Sequence, residues 1–228
     1  MQKKTFYTEL AYALGIIALA LGVALMEKAN FGVSMIVAPA YVTYLKVSQY
    51  LPFFTFGTSE YILQGLLVVI VCLVLKKFRL SYFFSFVTAV VYGFILDGFM
   101  LLTGLVPAGG IVIRLVMYVL GMLSCSLGVS LVFHTYIPPE AYELFVKELS
   151  KKFGININLF KTMFDIACML IGIVLSFAFF GMWHFEGVKL GTVFCALVNG
   201  TIIGFITKIL ESRFEFRYGL KLRRIFER

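Results

Sequence analysis

Three acids and a lysine stand where an apolar chain would ordinarily carry none. Asp97 and Asp165 fall inside hydrophobic runs, Glu140 follows Pro138-Pro139, and Lys161 precedes Asp165 by one helical turn. A carboxylate at bilayer depth is costly unless it is paired or used, so such acids are candidates for holding a cationic group or carrying a proton. Lys161 and Glu140 would then stand at a gate on the cytoplasmic side. Asn199 and Thr201 add neutral hydrogen-bonding groups in a later run. The expected substrate-binding residues are therefore Asp165, Asp97, Glu140, Lys161, Asn199 and Thr201. Each has a plainer alternative. Lys161 and Asp165 are spaced i,i+4 and could form only a local ion pair. Asp97, flanked by Gly93 and Gly98, could extend to the outer interface, and Glu140 could cap the helix that follows it. Asn199 and Thr201 could serve only to bond helix to helix. Glu60 and Gln64, one turn apart, read as an interfacial rim, and His134 as a satisfied interface histidine or a titrating gate.

Other chemistry is not written into the chain. There is no Gly-rich phosphate loop, no HExxH, no GxSxG and no histidine-carboxylate cluster, so no catalytic residue and no enzyme activity is expected. The two histidines lack metal-ligand spacing, and Cys72, Cys125, Cys168 and Cys195 all fall in apolar windows. No metal, cofactor or disulfide framework is expected. The paired Asn-Pro-Ala motifs of water and glycerol channels are also absent.

The elements that must position these residues are membrane spans. With 61% hydrophobic residues, 14% charged residues and a mean hydropathy of +0.97, the 228-residue chain reads as an integral membrane protein forming a single transmembrane domain. A helix needs about 20 apolar residues to cross. Six windows qualify, at about 10–26, 58–75, 81–102, 111–133, 158–180 and 191–210. Between the first two lies an apolar stretch, 30–56, broken by Pro39 and Pro52, which reads as an interfacial or re-entrant helix. Between the fourth and fifth lies the most charged stretch, 137–165. There Ala141, Leu144, Phe145 and Leu149 recur at helical spacing, and Glu143/Lys147 and Glu148/Lys152 pair at i,i+4, predicting a short amphipathic helix. The net charge of +8 is concentrated in alternate connections and in the 211–228 tail. That pattern predicts cytoplasmic termini by the positive-inside rule and gives no reason to invoke nucleic acid.

The pattern also repeats. Leu21-Gly-Val-Ala-Leu25 resembles Leu127-Gly-Val-Ser-Leu131, Phe56-Gly57 resembles Phe153-Gly154, and Gly93-Phe94-Ile95 resembles Gly204-Phe205-Ile206, in the same order. The predicted architecture is an all-α membrane protein of six transmembrane helices. They form two inverted three-helix repeats, at about 10–105 and 111–210, each with an extra amphipathic or re-entrant helix. An odd number of crossings per unit forces the inversion, and in such plans solute binds near the pseudo-twofold axis.

PEAYELFVKELSKKFG, FKTMFDIACMLIGIVLS and GVKLGTVFCALVNGTIIGF, together with Phe31-Gly32-Val33 and Phe56-Gly57-Thr58, resemble the YczE/YyaS/YitT-like family of bacterial integral membrane proteins. The resemblance spans roughly 10–210 and implies a compact six-span protein of the bacterial inner membrane. It does not imply a substrate. Ser34-Met35-Ile36 departs from the polar cluster usual after the first glycine of that family. The leading expectation is a secondary transporter of a small polar or zwitterionic metabolite, working by alternating access. Its partners would be the solute and the bilayer, with a homodimer allowed. The rivals are a substrate-capturing subunit of an energy-coupling vitamin transporter and a non-transporting regulatory or assembly protein.

Overall fold

The computed structural model describes residues 4–107 and 109–219. The basic residues expected to anchor the chain at 1–3 and 220–228 lie outside the described residues. Eight α-helices follow in order: α1 (Thr8–Ala29), α2 (Ala38–Val47), α3 (Phe56–Leu75), α4 (Leu80–Gly104), α5 (Ile111–Phe133), α6 (Ala141–Phe153), α7 (Ile157–Phe180) and α8 (Leu190–Arg213). All but α2 and α6 are long and apolar enough to cross a membrane, which makes the chain a multi-pass membrane protein. A 3-10 turn, Met35–Val37, leads into α2. Two short strands, β1 (Lys4–Tyr7) and β2 (Phe214–Arg217), pair in parallel beside the ends of α1 and α8, which the hydrophobic pattern did not foretell. Alternate crossing puts the start of α1, the α3–α4 connection, the start of α7 and the end of α8 on one face. Lys76, Lys77, Arg79, Lys151 and Lys152 mark that basic face.

The two units meet at an antiparallel crossing of α1 and α5. A methyl group on Gly22 would come within 2.6 Å of the Gly121 carbonyl oxygen, and one on Gly121 within 2.7 Å of that of Gly22. Gly15 and Gly128 repeat this reciprocal contact, at 3.0 and 2.7 Å. The sequence match pairs Gly22 with Gly128, so each contact is the image of the other under a twofold rotation. Glycine is required here because the backbones touch. The Ser124 hydroxyl adds a bond across the crossing to the Ala18 carbonyl, at 2.7 Å.

The rest of the packing follows the same symmetry. α1 lies on α4 as α5 lies on α8, and each short helix packs on the middle span of the opposite unit, α2 on α7 and α6 on α3. Not every repeated motif falls in register. Phe56-Gly57 opens α3, whereas Gly154, at φ 66°, terminates α6, so that resemblance joins two different positions. The units also differ in tightness. Gly57 and Gly93 bring the α3 and α4 backbones into mutual contact. α7 and α8 barely touch, and Gly204 faces open space.

Candidate functional site

The two short helices start in the middle of the molecule. Gln64 lies two turns inside α3, and its side-chain oxygen accepts the Ala141 N–H, the first of α6, at 3.0 Å. At the other end of α6, the Lys152 ammonium donates to the carbonyl of Val74, near the end of α3. α6 therefore rises from the depth of Gln64 to the basic face, as a half-helix inside the protein rather than one lying on its surface. Its amphipathic pattern records this: Ala141, Tyr142, Leu144, Val146 and Leu149 are buried, while the Lys residues reach water. Pro138-Pro139 before α6 and Pro39 in the first turn of α2 suit such starts, because proline removes a donor that would lack a partner there.

A cavity of about 320 Å³ lies where these elements converge, bounded by the α1–α5 axis, the Ser34–Val37 entry to α2, the start of α6, and α7 and α8. Four of the six residues singled out from the sequence line it: Glu140, Lys161, Asp165 and Asn199. Lys161 does not form the local ion pair with Asp165. Its ammonium sits 2.8 Å from the Glu143 carboxylate on α6, and the Asp165 Oδ1 is buried with no hydrogen-bond partner. Asn199 is oriented by the Ser126 hydroxyl, which donates to its Oδ1 at 2.6 Å. Ser130 continues the seam, donating to the Ile203 carbonyl. The small polar residues of α5 thereby fix α8 against it.

Away from the basic face the cavity is closed by a backbone clasp between the two units. The Val33 N–H donates to the Gly187 carbonyl and the Gly191 N–H to that of Phe31, both at 2.9 Å. Gly32, at φ 110°, lets the chain turn beneath Thr192. Tyr118 donates to the Gly191 carbonyl at 2.5 Å, and the Arg114 guanidinium lies over the Phe31 ring.

Asp97 and Thr201 lie elsewhere. Asp97 holds the start of α3: its Oδ1 accepts the Gly57 N–H at 2.7 Å and its Oδ2 the Thr55 hydroxyl at 2.6 Å. The Thr55 oxygen in turn caps α3 by accepting the Thr58 N–H. The acid satisfies donors that a helix start leaves open. Asp97→Ala should lower the melting temperature, with a cost of roughly 3 kcal/mol for two charge-assisted bonds. An Asp97→Ala protein that melts with the parent would contradict this. Thr201 is on the exposed side of α8.

Sequence reading missed the residues that surround Glu140. Glu60 and Gln64 are not a rim; both are completely buried. The Gln64 amide nitrogen donates to Glu60 at 3.4 Å and to Glu140 at 3.2 Å, and the Tyr142 hydroxyl donates to Glu60 at 2.9 Å. Glu140 occupies the N-cap position of α6 without capping it, and the first N–H of the helix, that of Ala141, goes to Gln64. Burial pushes the Glu140 carboxyl up to about 8, with Gln64 opposing and Glu143 adding to the rise. His134 is satisfied, its Nδ1 2.6 Å from the Ser130 carbonyl oxygen and its ring stacked on Phe216.

The chain is a multi-pass membrane protein of six spans in two inverted units, with half-helices that start beside a mid-protein cavity. The chain belongs to a family of unknown function, DUF6198, whose model matches residues 6–208. No curated protein and no solved structure matches it.

Proposed function

We propose that this protein is a secondary transporter of a small polar or zwitterionic metabolite, alternating access by rocking its two inverted units. The observation that carries the reading is the buried, unpartnered Asp165 oxygen in a cavity at the meeting of the units. A carboxylate there without a partner is costly, and a cationic group on a solute would remove that cost. At about 320 Å³ the space is at the small end of the roughly 300–1,000 Å³ usual for ligand pockets, which suits a metabolite of few heavy atoms. Asn199 offers a neutral contact, and the Lys161–Glu143 pair stands beside it as a gate. The reaction is movement, without covalent chemistry. Concentration of basic residues on the α3–α4 and α6 side supports a cytoplasmic orientation for that face, and the resemblance to YczE/YyaS/YitT-like proteins supports the bacterial inner membrane.

The vitamin-capture alternative relied on the small residues of α1 as a docking face for ATPase partners. Gly15 and Gly22 are spent on the contact with α5, which counts against it. The test is thermal stability of the purified protein against a metabolite panel at two pH values, with Asp165→Asn alongside, followed by uptake into vesicles. A solute should raise the melting temperature of the parent and not of Asp165→Asn, by the linkage of binding to stability. A solute that stabilises both equally would remove Asp165 from the site, and a panel that stabilises neither would remove the support for transport.

A further inference from the structure

The Glu60 and Glu140 carboxylates present a problem that the solute site does not use. They stand on different units, Glu60 on α3 and Glu140 at the start of α6, and both accept from the same amide nitrogen of Gln64. Glu60 is wholly buried, and its Oε1 has no hydrogen-bond partner. No ion pair reaches either carboxylate among the described residues. Two carboxylates this close, in a medium that cannot solvate them, do not both remain ionised. Gln64 has only two amide hydrogens and Tyr142 one hydroxyl hydrogen, and all three are already donated to the pair, so a fourth must come from the carboxyls themselves. A proton on Glu60 or Glu140 supplies it.

The neighbours reinforce that need. Tyr92 of α4 and Tyr142 of α6 face Glu60, and Glu143 of α6, Tyr12 of α1 and Cys125 of α5 face Glu140. Cys168 of α7 faces Glu60. None of these is a cation. Lys161, the nearest amine in the cavity, is held by Glu143. Glu140 also lines the cavity, so the buried pair has one member that solute and water can reach and one that they cannot.

We propose that Glu60 and Glu140, bridged by Gln64, form a one-proton site, and that this proton is exchanged as the cavity fills, coupling solute movement to movement of H⁺. The coupling rests on the transporter reading; the proton site does not. The step makes and breaks only an O–H bond: a carboxylate oxygen takes H⁺ from water in the cavity and returns it there, with no change of oxidation state. Because Gln64 also holds the first N–H of α6, the charge on the pair acts on the half-helix that forms the cavity wall.

Infrared titration of the full-length protein in lipid vesicles tests the site without any solute. The parent should show a protonated glutamate C=O stretch at neutral pH that disappears on alkalinisation. Glu60→Gln and Glu140→Gln should each move that disappearance to lower pH, since the remaining carboxyl has lost its like-charged neighbour. Asp165→Asn should leave it in place. If the variants do not fold, isotope labelling of glutamate in the parent decides: absence of a labelled protonated carboxyl at neutral pH overturns the site, as does a titration indifferent to both substitutions. Uptake of the metabolite panel with and without an imposed pH gradient tests the coupling. Gradient-dependent uptake in the parent that becomes gradient-independent in Glu60→Gln supports it. Uptake in the parent that ignores the gradient overturns coupling and leaves transport standing. No uptake, with the infrared titration intact, sinks the transporter reading and the coupling together and leaves the proton site.

Discussion

Gly22→Val should prevent recovery of folded protein. The added Cβ would meet the Gly121 carbonyl at 2.6 Å and the Cys125 Sγ at 2.5 Å, and what stands in the way is backbone of a crossing helix as well as side chain. Overpacking of ordinary cores costs about 1–3 kcal/mol because side chains give way. Here α1 and α5 would have to separate along the axis that joins the units. Gly121→Val should fail in the same way, since the contact is reciprocal, and Gly22→Ala should fold with a clearly lowered melting temperature. Gly98 and Gly204 provide the controls: nothing lies within 4 Å of an added Cβ at either. Their alanine variants should match the parent or exceed it, by up to about 1 kcal/mol of helix propensity. Side-by-side melting in detergent reads all five. Equal stability of Gly22→Val and Gly204→Ala would show that the crossing is not close.

The second large effect is on pH. The Glu140 carboxyl, ordinarily near 4.5, is pushed up to about 8 by burial. The folded protein then keeps a proton through a window in which the unfolded chain has released it. Where the native state binds more protons, stability falls as pH rises. The melting temperature should therefore be highest near pH 5, decline towards about pH 8, and level off above it. Glu140→Gln should move the decline to lower pH, the buried Glu60 carboxyl keeping the remainder. A parent whose stability climbs over that range would mean that the carboxyl is ionised in the fold.

The spans were legible because length and apolarity are properties of a segment by itself. The inverted plan was legible because the best internal match, around Gly22 and Gly128, falls on residues that make the symmetric crossing. Asp165 was legible too, since an acid so placed in an apolar run announces its cost. The roles of Asp97 and Glu60 were not. Asp97 serves the start of a helix 40 residues earlier in the chain, and Glu60 meets Tyr142 across 82 residues. No spacing within one helix encodes such partners. The environment of Glu60 depends on how deep α6 begins, which depends on the loop before it. The same ignorance of depth made Gln64 look like a rim residue, though it is the side chain around which the start of α6 is built.

The unequal contacts of the two units give them unequal stiffness. α3 and α4 are locked backbone to backbone at Gly57 and Gly93, while α7 and α8 stand apart beside the cavity. A bilayer presses on all six spans, but only the second pair has room to yield. Lateral pressure should therefore act on the cavity through α7 and α8, and chain length and packing of the surrounding lipid become part of what sets its volume.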